Sequence, residues 1–190
     1  MTAKKLDRRK KYSRKVLKDS LLQLLKEKQF SNITVKEICE VADINRSTFY
    51  AHYADQYDLL EKIEIEIIED LQTYLSSYNF KEQDQVLQMT EKLIEYLATK
   101  KDEVHVLLNI SGDYSFQLRV MNVSEEYVAK QLEAFDHIDK ELFSYLITFI
   151  ISGSVQVMKL WLDGDKEKTP KEMAILITNL INHGIYGTIH

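Results

Sequence analysis

Residues 34–53 read TVKEICEVADINRSTFYAHY, a stretch that predicts two short helices joined by a tight turn. Four residues of the first helix recur at the spacing that places them on one face: Val35, Ile38, Cys39 and Ala42. Thr34 precedes this face and Glu37 follows three residues later, which is the spacing of a capping box at a helix start. The sequence therefore predicts a helix that begins directly after Thr34.

The second half of this stretch predicts a turn and a second helix. Asp43 tolerates the left-handed backbone conformation that a sharp turn requires, and Asn45 can cap the next helix. Phe49 and Tyr53 share the inward face of that helix. Its other, polar face carries Arg46, Ser47 and Tyr50. This is the layout of a helix-turn-helix, and the alternative is a polar helical hairpin at the surface of a bundle.

The amino-acid sequence of this region favours the helix-turn-helix, because it resembles that of a known family. INRSTFYAHYADQYDLL resembles the segment through the recognition helix of the tetracycline-repressor (TetR) family, and QFSNITVKEICEVA resembles the segment before it. The resemblance covers roughly the first third of the chain. It departs from the family at Gln29 and Asp43, where glycine is usual, and at Gln56, where a lysine commonly contacts phosphate.

The resemblance and the chemistry of the second helix together predict a DNA interface. Arg46 can donate two hydrogen bonds to O6 and N7 of guanine, and its alternative partner is a phosphate. The resemblance implies that Thr34 and His52 contact phosphate, and Lys36 is a further phosphate candidate. The predicted DNA-binding residues are Thr34, Lys36, Asn45, Arg46, Ser47, Thr48, Tyr50, His52, Lys10, Lys11 and Arg14.

The charge distribution supports DNA as a partner although the net charge is −5. Residues 1–60 carry 13 Lys and Arg against 8 Asp and Glu, a net charge of +5, and the remainder carries −10. Within residues 1–18 the ratio is 9 basic to 1 acidic. Such a run is usually a solvated tail, but its position beside a helix-turn-helix favours phosphate binding.

The composition predicts an all-α, cytoplasmic protein. Hydrophobic residues make up 45% of the 190, and only 5 Gly and 1 Pro are present. No apolar run is expected to approach the roughly 18 residues that suggest a membrane span, and the basic start lacks the apolar stretch of a signal peptide. The single Cys39 excludes an intramolecular disulfide, and we expect a buried side chain rather than a redox sensor.

The sequence contains no pattern typical of an enzyme or a metal site. The five histidines are scattered without metal-ligand spacing. A glycine-rich phosphate loop, a nucleophile elbow and a His-Glu-x-x-His motif are all missing from the sequence. We therefore predict no catalytic activity, no metal and no cofactor.

Hydrophobic periodicity predicts two domains, residues 1–69 with the start of a long connecting helix, and residues 70–190. The first helix is expected from Arg8 or Tyr12 to Lys28, and the connecting helix from a cap at Asp55 to about Ser76. Later helices are expected over residues 86–100, 102–109, 115–135, 140–163 and 170–184, with a turn at 111–113. The predicted fold is therefore an N-terminal helix-turn-helix domain joined to a helical C-terminal domain.

The C-terminal part carries a second resemblance. FIISGSVQVMKLWLDGDKEKTPKEM resembles a C-terminal domain found in TetR-like regulators of Firmicutes, and this implies a two-helix dimerisation surface. Independently, the last two helices carry more apolar surface than one chain easily covers, which suggests a homodimer. Gly153 in the first of them indicates either close approach of another helix or simple tolerance of glycine.

An effector pocket is expected in the C-terminal domain, although each candidate side chain is individually more typical of core packing. The predicted pocket residues are His105, Tyr114, Phe116, Arg119, Met121, Tyr127, Tyr145 and Phe149, within a wider pool that adds Tyr74, Met89 and Met158.

The function predicted from these patterns is transcriptional regulation. A homodimer would repress by binding a pseudo-palindromic operator on double-stranded DNA and would be released by a small-molecule effector. The alternative from another class is a co-activator of TetR-like fold that has lost DNA binding and contacts a partner protein. A small enzyme is disfavoured, because no catalytic constellation is visible.

Overall fold

The fold of the chain is all-α, as predicted. The computed structural model describes residues 3–77, 83–110, 115–132, 139–164 and 168–184, and these contain α-helices and one short 3₁₀ helix, Phe30–Asn32, but no strand. In chain order the α-helices are α1 Ala3–Leu25, α2 Val35–Ala42, α3 Arg46–Tyr50, α4 Gln56–Ser76, α5 Gln83–Thr99, α6 Lys101–Leu108, α7 Ser115–Leu132, α8 Lys140–Asp163 and α9 Pro170–His183.

The predicted helix boundaries differ from the observed ones mainly in α1. This helix begins at Ala3 rather than Arg8 or Tyr12, because the basic segment contains only good helix formers before Tyr12 apart from an Asp. It ends at Leu25, and residues 26–28 form a turn in which Lys28 N–H donates to the Leu24 carbonyl at 3.1 Å. The turn predicted at 111–113 and the residues after 132 in α7 lie outside the described part.

The chain divides into two compact units. One comprises Met1–Ile67 with Asn109–Asp113, and the other comprises Ile68–Leu108 with Tyr114–His190. The domain boundary predicted at residue 69 lies inside α4, a helix that contributes residues to both units. That boundary stays a prediction.

In the N-terminal unit, the core forms where α1, α2 and α3 pack together. Leu17, Leu21, Ile38 and Phe49 are fully buried there, and Cys39 is buried as expected. Phe30 and Ile33 close the turn between α1 and α2 with buried side chains. These contacts hold a five-residue helix, α3, which is far too short to persist alone in water.

Two local features of the sequence place α3 after α2. Asp43 adopts the left-handed conformation, with φ 50° and ψ 45°, and it is the one described non-glycine residue with positive φ. Asn45 then caps α3, because its side-chain oxygen accepts the Ser47 N–H at 2.9 Å. Both predictions for this turn are confirmed.

In the C-terminal unit, α9 packs along α5 and α7 packs along α8. Asp139 caps α8 by accepting the N–H groups of Glu141 and Leu142, each at 2.9 Å. The predicted capping box at the start of α9 is present, with Thr169 N–H donating to Glu172 at 2.7 Å. Caps of this kind fix where each helix starts and therefore which residues face the core.

Helix α8 is more apolar than expected. Its residues Glu141–Asp163 are long and apolar enough to cross a membrane by length and composition, so the prediction that no such segment exists was wrong. Only 33% of the most apolar 18-residue segment of α8 is buried. Core helices of soluble proteins can have the same length and composition, but they are mostly buried. The helix therefore presents an exposed apolar face.

Candidate nucleic-acid interface

The exposed side of α3 carries the residues predicted to read DNA. Phe49 anchors the helix in the core with no exposed surface, whereas Tyr50, the next residue, is 58% exposed. Arg46 and Ser47 at the start of the helix are exposed as well, and Thr48 is half-buried. Because one face is fixed inward, α3 presents Arg46, Ser47 and, one turn later, Tyr50 to solvent.

An open groove runs along the start of α3 and the outer side of α2. Its lining includes Lys36, Glu40, Asp43, Asn45 and Arg46. Lys36 forms an exposed ion pair with Glu40 at 3.8 Å, one turn along α2, and such pairs contribute little stability. Lys36 is therefore accessible to a phosphate, because breaking its ion pair with Glu40 costs little free energy.

The start of α2 is held by a network of charged hydrogen bonds. The Thr34 backbone N–H and hydroxyl both donate to Glu37 Oε2 at 2.9 Å, and Glu37 N–H donates back to the hydroxyl at 3.3 Å. Lys28 Nζ approaches Glu37 Oε1 at 2.6 Å. This bond from Lys28, followed by those from Thr34, lowers the pKa of Glu37 from 4.5 to about 2.

The network limits what Thr34 can do for DNA. Its hydroxyl hydrogen is engaged with Glu37, whose ionised carboxylate already occupies the anion position at this helix start. A phosphate would have to share the position with that carboxylate. Thr34 therefore serves here as a helix cap, and the phosphate contact implied for it stays a prediction.

A basic cluster lies at the other end of α3. It comprises Lys10 and Arg14 from α1, His52 after α3, and Lys62 from α4. Burial of His52, followed by the positive charges of Arg14, Lys10 and Lys62, lowers the pKa of its imidazole below the ordinary 6.5. Positive charge from two helices, α1 and α4, thus converges beside His52, which is the pattern expected of a phosphate site.

Sequence reasoning missed Lys62 in this cluster. Its Nζ donates to Asp58 Oδ2 at 3.0 Å and to the His52 carbonyl at 3.3 Å, and it lies 5.2 Å from the centre of the Tyr53 ring. The spacing of Asp58 and Lys62, four residues apart on a helix, could have suggested an ion pair. Nothing in the sequence alone could have placed that pair against the end of α3.

The remaining predicted DNA-binding residue, Lys11, is exposed on α1, as are Lys10 and Arg14. Gln56, where the family commonly has lysine, is half-buried at the first position of α4. Burial raises the pKa of the Cys39 thiol, which agrees with a structural rather than a reactive cysteine. Among the described residues, no three His, Cys, Asp or Glu side chains are grouped as metal ligands.

The predicted effector residues lie apart from the cavity found in the C-terminal unit. Phe116 is buried in the core, whereas Tyr145 and Phe149 are exposed on α8. His105 Nε2 lies 2.7 Å from Asp163 Oδ1, and none of these side chains lines the cavity. Arg119 and Met121 are half-buried on α7, also outside the cavity lining. Tyr114 and the Tyr127 side chain fall outside the described residues.

Of the wider pool, Met89 and Met158 line the cavity. The other lining residues are mostly leucine, isoleucine and valine. Sequence reasoning selected aromatic and polar side chains by residue type, and it missed this aliphatic set because the same pattern is typical of a packed core.

The family-model comparison matches the C-terminal half of the chain. A TetR-type model, described as the C-terminal region of a transcriptional regulator, matches residues 84–183. The matched segment covers more than half of the 190 residues and runs from the second residue of α5 to the end of α9.

A curated relative that matches most of this chain agrees with this result. The uncharacterized HTH-type transcriptional regulator YxbF of Bacillus subtilis (strain 168) is 26% identical over 180 residues. The match covers 90% of this chain and 45% of that protein, so the chain spans less than half the length of this relative.

Two solved structures share the fold. A TetR transcriptional regulator from Streptococcus agalactiae 2603V is 23% identical, with a TM-score of 0.69 over 95% of this chain and 99% of that one. The fatty acid degradation regulator FadR from Bacillus halodurans is 13% identical, with a TM-score of 0.66 over 91% and 96%. At these identities the likeness shows the fold.

Proposed function

The chain belongs to the TetR family of transcriptional regulators, and from this premise we propose that it is a cytoplasmic, DNA-binding repressor. The proposed unit is a homodimer whose two α3 helices enter successive major grooves of a pseudo-palindromic operator. The half-sites would be centred about 34–36 Å apart, one helical turn of DNA. A small-molecule effector would release the operator by favouring a state of the dimer that no longer matches this spacing.

The observation that carries this proposal is the arrangement at α3. Helix α3 exposes Arg46, Ser47 and Tyr50 while Phe49 is fully buried, so the polar face is held outward. The basic cluster of Lys10, Arg14, His52 and Lys62 lies at its other end. Base-reading side chains flanked by cations are what a DNA-recognition helix requires.

The test of the proposed function is capture of genomic fragments. The purified chain is incubated with sheared DNA from its source organism, and the bound fragments are sequenced and then titrated in gel-shift assays at several salt concentrations. We expect a pseudo-palindromic sequence that binds more tightly than unrelated DNA and loses affinity as salt rises. Absence of any salt-dependent DNA binding would overturn the proposal and favour the co-activator alternative.

Reversing the charges of Lys10, Lys11 and Arg14 to glutamate is expected to weaken binding to all DNA sequences about equally. The residues are exposed on α1, and phosphate contacts carry no sequence information. Loss of three phosphate contacts should flatten the slope of log affinity against log salt by about 2–3. The measurement is fluorescence anisotropy on operator and on random DNA.

The matched control for this charge reversal changes net charge by the same amount elsewhere. Lys101, Lys159 and Lys171 lie in α6, α8 and α9, and their reversal to glutamate should leave the salt slope nearly unaltered. Equal slopes in the two triple variants would mean that net charge, and not an α1 contact, drives DNA binding.

His52 is expected to make DNA binding depend on pH. Burial and the neighbouring cations lower its pKa below 6.5 in the free protein, and a phosphate bound beside it would raise that pKa. The complex would then take up a proton. The contribution of His52 to affinity is therefore full below the pKa of the free protein and is lost as pH rises through the pKa of the complex.

The measurement is operator affinity at constant ionic strength from pH about 5.5 to about 7.5, a range that brackets the ordinary histidine pKa. His52→Gln should flatten the profile. His183→Gln, which removes an exposed histidine at the end of α9, is the control and should keep the wild-type profile. The same pH dependence in His52→Gln as in the wild type would exclude His52 as the titrating contact.

A further inference from the structure

The C-terminal unit contains a cavity of about 120 Å³ among α4, α5, α6, α7, α8 and α9. This volume is unusual, because packed protein interiors contain few voids larger than a water molecule. Ile181 on its edge is 43% exposed, so the cavity reaches the surface at α9. A small molecule could therefore enter without unfolding of the unit.

The side chains that line the cavity are almost all aliphatic and apolar. Among the described residues that line it, Thr90 and Ser154 are the only polar ones, and none is charged or aromatic. A charged ligand would lose its hydration here without gaining an ion-pair partner, which strongly disfavours it. Met89 and Met158 are flexible and polarizable, so they can adjust to chains of slightly different shape.

The volume limits the size of the ligand. An engineered cavity of about 150 Å³ lined by aliphatic and aromatic residues stays dry and binds benzene, which has six carbon atoms. A cavity of 120 Å³ scales to about five or six non-hydrogen atoms when the methionines adjust. The Ser154 hydroxyl, which makes no hydrogen bond within the described residues, can pair with one oxygen of such a molecule.

We propose that this cavity binds a small, uncharged aliphatic molecule of about five or six non-hydrogen atoms that carries at most one hydroxyl or carbonyl group. The proposal gives a chemical class to the effector in the proposed function, and its role as an effector rests on that function. Binding itself depends only on the C-terminal unit.

The test is calorimetric titration of the full chain, without DNA, with linear alcohols and with pentanoate. From 1-propanol to 1-pentanol the affinity should rise about fourfold for each added methylene group, and it should fall for 1-octanol, which exceeds the cavity. Pentanoate should bind at least tenfold more weakly than 1-pentanol. At about ten times its Kd, 1-pentanol should raise the Tm by about 3–5 °C.

A pair of variants locates the site. Ser154→Leu replaces a side chain of two non-hydrogen atoms by one of four carbons inside the cavity and should reduce 1-pentanol affinity at least tenfold. Gln88→Leu adds a leucine on the exposed side of α5, outside the lining, and should keep the affinity within twofold. Where Ser154→Leu does not fold, the alcohol series on the wild type decides the matter.

Three results would overturn the proposal: equal affinity for pentanoate and 1-pentanol, affinity that keeps rising through 1-octanol, or unchanged binding in folded Ser154→Leu. The second result would indicate partition onto an exposed apolar face. DNA capture is measured without alcohol and alcohol binding without DNA. Failure of this inference is therefore distinguishable from failure of the proposed function.

Discussion

Replacing Arg46 by alanine is expected to weaken operator binding by about 1–3 kcal/mol, or roughly 5- to 150-fold. Arg46 is the first residue of α3 and is exposed beside Asn45, whose side chain caps the same helix. Its guanidinium can therefore reach a guanine edge from a helix start that is already fixed. The change removes no buried contact, so the Tm should stay close to that of the wild type.

Arg46→Lys separates the two partners that Arg46 could have. A lysine keeps the charge but cannot reproduce the paired hydrogen bonds to O6 and N7 of guanine. If Arg46 contacts a base, both variants should relax preference at one operator position. If it contacts a phosphate, Arg46→Lys should retain most of the affinity, and Arg46→Ala should weaken all sequences alike and flatten the salt slope by about one.

The measurement is binding of wild type and both variants to a library of operators with every single-base substitution. The control variant is Lys36→Ala, which lies in the same open groove on α2 and is predicted to contact phosphate. It should reduce affinity without relaxing base preference. If Arg46→Ala is folded and binds the operator as tightly as the wild type, α3 does not form the DNA interface.

The helix-turn-helix could be predicted from sequence because its determinants are local. The cap at Asn45, the left-handed turn at Asp43 and the capping box at Thr34 each involve residues within three or four positions of one another. Such features depend on the chemistry of a few adjacent residues, and tertiary packing has little power to change them. The same holds for the start of α9 at Thr169.

The features that sequence could not supply are those that depend on packing between helices. Lys62 belongs to the basic cluster only because α4 folds back against the end of α3. Phe116, Tyr145 and Phe149 have the right chemistry for a pocket, but the phase of α7 and α8 places the first in the core and the others outside. A cavity forms where packed side chains leave space unfilled, and the types of the residues alone do not reveal where this happens.

Placing a glutamate at Phe149 is expected to convert a homodimer into monomers. Phe149 is 79% exposed and Leu160 is 73% exposed, and at 100° per residue both share a face of α8 with Leu142 and Tyr145. These four residues span about 60° of the helix, the width of a narrow helix–helix seam. Gly153 lies on it, and a Cβ there would meet nothing within 4 Å.

The size of the effect follows from what the substitution removes and adds. Burial of a phenylalanine contributes about 1.5–3 kcal/mol, and the new carboxylate would be desolvated in an apolar contact without a cation from its own face. Dimer affinity should therefore fall by about 3 kcal/mol or more, roughly 150-fold. Operator binding should weaken as well, because a monomer places only one α3 on the DNA.

Sedimentation velocity at micromolar concentration measures the fraction of dimer. The control is Thr148→Glu, because Thr148 is exposed on α8 but lies about 100° around the helix from Phe149. The control should remain dimeric. Gly153→Leu adds a further distinction: a Cβ at this position meets no atom of the chain within 4 Å, so the monomer should fold normally while a closely approaching partner helix is pushed away. A dimer that tolerates Gly153→Leu but not Phe149→Glu would mean that glycine is merely accommodated in α8. A wild-type chain that sediments as a monomer would show that the exposed face of α8 does not join two copies.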